Sequence, residues 1–387
     1  MPNSPNEGPV TDPAGPPEVA LPRRDSRQLA LVLQGGGALG AYQAGVYEAL
    51  SGRGYEPDWL AGISIGAVNA ALIAGNPPER RVARLRSFWE LISAPSAIWP
   101  NLPFEPWQQA VRQSSALAAM LFGQPGFFRP NNGLRFWRTG QPPTSFYDTA
   151  ELRATLERLV DFDRINAGPV RLSVGAVNVR TGNFAYFDSA RQKIGPEHIM
   201  ASGALPPGFP AVEIDGEFYW DGGLVSNTPL QYVLDQEPRR STLAFQVDLF
   251  PAQGAVPGDL DAVEERRKDI VFSSRTRMGV GNFSAMHNVR CNISRLLARL
   301  PPGFEGGADV EALRAVACQT HIDIVELIFR ARDAQGWDKD IEFARATMQA
   351  RWEQGLADAH ATLDAEPWLE PAPPEVGVRS FDVLGPR

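Results

Sequence analysis

An α/β fold is what this sequence predicts, on three observations. Two strand-to-helix turns follow one another within Leu29–Asn69, and a third glycine turn, Asp221-Gly222-Gly223, closes an aromatic strand near the middle of the chain. The length of 387 residues and the 43% hydrophobic content are enough for one large α/β domain plus an extension.

The first turn ends the apolar run Leu29–Leu33 in Gly35, Gly36 and Gly37, and Gly40 opens an amphipathic helix through Tyr42, Val46 and Leu50. A glycine turn of this kind also serves in dinucleotide folds, which place an acidic residue at the end of the next strand, about 20 residues on. Here Asp58 precedes that strand, and no Gly-Lys-Ser/Thr pattern marks a P-loop. What the turn does offer is a row of unobstructed backbone N–H groups at a helix N-terminus, a setting that favours negative charge.

The second turn runs Gly62-Ile63-Ser64-Ile65-Gly66 between the strand Trp59–Ile63 and a helix of small residues, Ala67–Ala74. A serine at such a bend presents its hydroxyl above the sheet edge, and the flanking glycines give room for the tight backbone. Ser64 is thus the candidate nucleophile. The same pattern also describes an ordinary βα turn with a capping serine. A nucleophilic serine needs a base, and Asp221 stands after Phe218, Tyr219 and Trp220 and ahead of a helix opened by Thr228 and Pro229. Asp248, at the end of the strand Thr242–Leu249, competes for that role. Asp221 is preferred because the glycines after it let its carboxylate approach another backbone turn.

In their order, Gly35-Gly36-Gly37-Ala38-Leu39-Gly40, Gly62-Ile63-Ser64-Ile65-Gly66 and Asp221-Gly222-Gly223 resemble the patatin-like phospholipase family. The resemblance covers about Leu29 to Leu234 and takes in Ala201–Phe209, ASGALPPGF, which is similar to the family's stretch before its aspartate. It implies a three-layer α/β/α fold with a mainly parallel central sheet, and hydrolysis of acyl esters of lipids by a Ser64–Asp221 dyad with no histidine. On this reading Gly35, Gly36, Gly37, Ala38 and Gly40 form the oxyanion loop, with the N–H groups of Gly36, Gly37 and Ala38 as donors. Gly62 and Gly66 shape the elbow, Gly222 and Gly223 follow the base, and neither cofactor nor metal is required. One position departs from the family, whose glycine loop commonly carries Arg or Lys where this chain has Leu39. Head-group preference therefore stays open.

Other readings use the same residues differently. A Ser-His-Asp esterase or thioesterase would draw its histidine from His287, His321 or His360, yet none of these follows a strand's C-terminal end. A nucleotide-binding protein would use the first turn alone, and a non-catalytic lipid-binding protein would keep the motifs as vestiges.

Composition narrows partner and compartment. A formal net charge of -8 argues against nucleic acid, which calls for a basic footprint. Cys291 and Cys318 read as two buried thiols instead of a disulfide, and His198, His287, His321 and His360 show no metal-ligand spacing. No run approaches the roughly 18 apolar residues of a membrane span, and the Pro-rich start lacks a secretory core. A cytoplasmic location follows by default, compatible with peripheral membrane contact. Nothing in the sequence sets the oligomeric state.

The expected organisation is a disordered tail over 1–28, an acyl hydrolase domain over 29–250 and a mostly helical extension over 251–387. An irregular aromatic insertion at 94–147, with Trp99, Trp107 and Trp137, reads as a lid or acyl-binding wall around a short helix at Gln113–Phe122. Helices are expected from Pro77 through Ile92 and over Asp148–Val160. Residues 170–189 read as a hairpin around Thr181-Gly182-Asn183, with Asn178 and Asp188 as turn and solvent residues. In the extension, one or two helices with Arg266, Arg267, Lys268, Arg275 and Arg277 over Leu260–Leu300 precede a helix at Val310–Ala317. A strand at His321–Phe329 and a long helix at Asp338–Leu363 follow.

Overall fold

The computed structural model describes residues 27–93, 123–131, 143–301, 304, 307–331, 336, 338–373 and 375–385. Most of the expected tail and insertion, with Trp99, Trp107, Trp137 and the helix at Gln113–Phe122, lie outside the described residues, as do the side chains of Arg275 and Arg277.

Strand β1 (Gln28–Leu33) explains the layering. Leu29, Leu31 and Leu33 enter one apolar cluster, while Ala30 and Val32 enter another. Both faces of the strand are covered, so its sequence is continuously apolar instead of alternating. Helix α1 (Ala41–Gly52), β2 (Trp59–Gly62) and α2 (Ile65–Ala74) complete the two turns read from the sequence, and β2 pairs parallel to β1. Helix α3 (Pro78–Ile92) starts on a proline, which needs no N–H partner there, and buries Leu85, Phe88, Trp89 and Ile92.

A short antiparallel pair, β3 (Arg129–Pro130) and β4 (Tyr147–Asp148), precedes α4 (Ala150–Leu159) and α5 (Phe162–Ala167). The hairpin β5 (Arg171–Asn178) and β6 (Phe184–Asp188) follows. Asp188 corrects an expectation, because it is buried and not a solvent residue. Burial alone would raise its pKa, but hydrogen bonds from Arg171 and Tyr232 outweigh that and hold it below the usual carboxylate range.

Helix α6 (Pro196–Ser202), β7 (Val212–Ile214), β8 (Glu217–Asp221), α7 (Leu230–Leu234) and β9 (Thr242–Asp248) lead to a single long helix, α8 (Leu260–Leu297). Helix α9 (Ala308–Val316), β10 (Ile322–Ile328), α10 (Arg345–Ala365) and β11 (Val378–Phe381) end the chain. The sheet runs β11-β10-β9-β1-β2-β5-β8-β7, with β6 also on β5. Pairing is parallel from β11 through β5 and antiparallel beyond. One cluster joins this sheet to α1, α2, α3, α4 and α10, the other to α7 and α8, which gives three layers.

Two features of this topology build the site. The strand order reverses at β1, between β2 and β9, so the glycine loop leaves the sheet where such folds open a crevice beyond their strand ends. Because β8 is antiparallel to β5, it descends from that same end and sets Asp221 opposite Ala176.

Residues beyond 251 enter the same core. Strand β10 continues the parallel sheet on β9, and α10 lies across α1 at a glycine on each helix. A Cβ on Gly45 would run into the Trp352 carbonyl, and one on Gly355 into that of Tyr42. The helix expected from Asp338 starts instead at Arg345. The residues before it are held as a strap, with Arg351 donating to the carbonyls of Lys339 (2.8 Å) and Glu342 (3.1 Å), and buried Lys339 paired with Asp269 at 2.6 Å.

Candidate active site

Ser64 sits between β2 and α2 with φ 54° and ψ -123°, on the left-handed side of the map that a residue with a Cβ avoids. Such a conformation costs about 1–3 kcal/mol and persists only where its surroundings hold it. Here the Ser64 N–H donates to Ser202 Oγ at 3.0 Å, and that hydroxyl donates to the Gly175 carbonyl at 2.7 Å. The glycines of the motif are required by close approach. A Cβ on Gly62 would stand 2.6 Å from the Ala67 nitrogen, and one on Gly66 2.7 Å from the Leu33 carbonyl carbon.

Asp221 ends β8, buried, with its own N–H on the Ala204 carbonyl at 3.0 Å. Its carboxylate accepts the Gly223 N–H at 2.7 Å, and the neighbouring Ser64 side chain favours its ionised form. Burial pushes the carboxyl up to about 6, and the Ser64 side chain and the Gly223 amide pull the other way. Gly222 passes so close to β5 that a Cβ would lie 2.7 Å from the Gly175 carbonyl oxygen. Asp248 faces a different group of residues, Gln246 and Thr228. Burial, joined by the charge of Glu326, pushes it up to about 7.

In the glycine loop the five residues singled out from the sequence separate into different tasks. Gly35 is clamped to Asn227 in both directions, its N–H on the Asn227 carbonyl (3.1 Å) and its carbonyl accepting from Asn227 Nδ2 (3.0 Å). The Ala38 N–H donates to the Asp340 carbonyl at 2.8 Å. That corrects the expected donor set, since an amide already bonded inside the protein is not free for an oxyanion. Gly40 is buried, and its carbonyl accepts from Asn69 at 2.9 Å. Among the described residues, no partner stands on the N–H groups of Gly36 and Gly37, and both residues are partly open to solvent, as is Ser64. Gly37 has φ 53°, and a Cβ there would strike the Asp340 carbonyl.

Gln34 braces this loop from behind. Fully buried, it donates to Thr228 Oγ1 (2.9 Å) and the Phe272 carbonyl (3.2 Å) while its Oε1 accepts the N–H of Phe250 (3.0 Å). Leu39, at the loop position where the family commonly carries a cation, is buried in the core. A cation does reach the same neighbourhood from α8, as Lys268 pairs with the side chain of Asp340 at 2.6 Å.

The histidines are placed elsewhere. His321 precedes β10 at the end of the sheet opposite Ser64, His287 bonds the Thr320 carbonyl, and His360 lies on α10. His198 in α6 takes the Gly195 N–H and packs on Phe187. Among the described residues no cluster of three metal-ligating side chains occurs, and no helix is long and apolar enough to cross a membrane. Phe127, Phe128, Tyr147, Phe209 and Phe343 form one aromatic cluster from the described part of the insertion, the α6–β7 link and the strap.

Two strand-to-helix glycine turns, with an aspartate brought to the same end of the sheet on an antiparallel strand, agree with a family model described as patatin-like phospholipase, which matches residues 31–234. The chain belongs to the patatin-like phospholipase family. A second model, described as patatin phospholipase, matches residues 270–375 of this patatin-like chain. Among solved structures, VipD from Legionella pneumophila superposes with a TM-score of 0.38 and 13% identity, over 88% of this chain and 67% of that one. No curated protein matches it. Membership carries the family's general activity, lipid acyl hydrolysis.

Proposed function

We propose that this patatin-like protein cleaves lipid esters through Ser64 as nucleophile and Asp221 as base, by way of an acyl-enzyme. The observation that carries the reading is a buried carboxylate beside the Ser64 side chain, at a serine held in a strained elbow. Asp221 takes the hydroxyl proton as Ser64 Oγ attacks the ester carbonyl, and the Gly36 and Gly37 N–H groups receive the negative charge on oxygen. Collapse expels the alcohol, which regains the proton from Asp221. Water, deprotonated by the same carboxylate, then releases the acid. A carboxyl raised to about 6 is still ionised at neutral pH, and it is a stronger base than an exposed aspartate.

Apolar side chains near the site support contact with a lipid surface. Leu205 adjoins Ala204, whose carbonyl holds Asp221, and Leu224 follows Asp221 by three residues; both are exposed. Phe146, 65% exposed, belongs to a backbone that bonds Pro207. Labelling with a fluorophosphonate probe tests the assignment. Uptake by the wild type and none by Ser64→Ala is the expected result, with a short-chain p-nitrophenyl ester as substrate for turnover. Near-normal turnover by Ser64→Ala would defeat it.

A further inference from the structure

The only two cysteines of the chain, 27 residues apart, come together. Cys291 lies in α8 and Cys318 between α9 and β10. The Cys318 N–H donates to the carbonyl of Arg290, the residue before Cys291, at 3.3 Å, which brings the two backbones side by side. Both sulfurs turn to one residue, with Cys291 Sγ 3.9 Å from the Thr320 carbonyl and Cys318 Sγ 3.0 Å from Thr320 Oγ1. Gly377 backs Cys291 so closely that a Cβ there would stand 2.6 Å from Sγ.

Access to the two thiols differs. Cys291 is buried, and burial together with the neighbouring Cys318 pushes its thiol up. Cys318 is half-buried and lines, with Cys291, a cavity of about 430 Å³ open to solvent. A disulfide needs Cα atoms roughly 4.4–6.8 Å apart, a spacing that a main-chain hydrogen bond to the residue preceding one partner supports.

We propose that Cys291 and Cys318 are a modification site, forming a reversible intramolecular disulfide by exchange with a small-molecule disulfide such as oxidised glutathione. The Cys318 thiolate attacks the reagent's S–S bond, forming a mixed disulfide and releasing one glutathione thiolate. The Cys291 thiol then loses its proton and attacks the Cys318 sulfur, releasing the second. Two electrons pass from the protein thiols to the reagent, and the two thiol protons end on the departing glutathiones. Excess dithiol reverses both steps, the behaviour of a responsive pair in a reducing compartment. The bond would close a ring over the end of α8 and all of α9, and fasten α8 to the start of β10. This end of the sheet is remote from Ser64, so basal ester turnover stays unchanged on oxidation.

The test uses the full-length protein, treated with oxidised glutathione, alkylated after denaturation and weighed by mass spectrometry. The expected product is lighter by two hydrogens, takes up no alkylating reagent, returns to two alkylatable thiols with dithiothreitol, and melts a few degrees higher than the reduced form. Cys318→Ser, altered at the more exposed position, should show no oxidant-dependent rise in melting temperature, and Cys291→Ala the same. Two free thiols after oxidation, or separate glutathione adducts on both cysteines, would overturn the proposal.

Discussion

Ser202 fixes the main chain of Ser64, accepting its N–H at 3.0 Å while donating to the Gly175 carbonyl at 2.7 Å. The serine that carries the strain and the serine that holds it come from different helix ends, α2 and α6. Replacing Ser202 by Ala leaves the Ser64 amide and the buried Gly175 carbonyl without these partners, at a cost of about 1–3 kcal/mol. Ser202→Ala is therefore expected to lower kcat by about 10–100-fold, through loss of Ser64 orientation, with a smaller change in KM. Steady-state kinetics on a soluble ester, beside the rate of fluorophosphonate labelling, read this directly.

Asp221→Asn should separate activity from stability. Removing a general base costs about 10²–10⁴ in turnover. The stability effect has the opposite sign. The folded carboxyl titrates near 6 and the unfolded one near 3.8, so between those values the native state binds more protons and stability falls as pH rises. Above pH 6 the full penalty applies, up to about 3 kcal/mol, and Asn relieves it. Thermal melts at pH 8 should show Asp221→Asn at least as stable as wild type, and melts near pH 4 should show the advantage gone.

The wild-type pH profile follows from the same group. As pH falls through about 6, Asp221 is protonated and kcat/KM declines tenfold per unit. An acid limb centred near 4 would mean that the base is an exposed carboxylate.

Asp248 is the contrasting case, raised to about 7 but facing Gln246 and Thr228 instead of Ser64. Asp248→Asn should keep turnover within a few-fold of wild type on the soluble ester. A loss as large as that of Asp221→Asn would move the base to the other strand end.

Gly37→Ala tests the loop. Its φ of 53° disfavours a side chain, and the added carbon meets the Asp340 carbonyl. Loss of an oxyanion donor is worth about 10²–10³ in kcat. Gly52→Ala, where nothing lies within 4 Å, serves as the silent control in the same assay.

What the sequence made legible were residues whose neighbours along the chain impose their geometry. Gly62, Ser64 and Gly66 are read together because one bend needs all three, and Asp221 and Gly223 because the carboxylate bonds an amide two residues on. Ser202 and Asn227 were missed for the opposite reason, as they act on partners 138 and 192 residues away. The ASGALPPGF stretch flagged Ser202's neighbourhood without its task. Asp188 was misread because a strand-end acid looks solvent-bound until Arg171 and Tyr232 are seen to face it. Ala38 looked like a free donor because its acceptor belongs to a strap that carries no motif.

That strap has a temporal consequence. The loop beside Ser64 takes its final shape only when residue 340 is in place to receive the Ala38 amide. That residue is made more than a hundred positions after Asp221, so a chain stopped short of it lacks the contact that holds the loop.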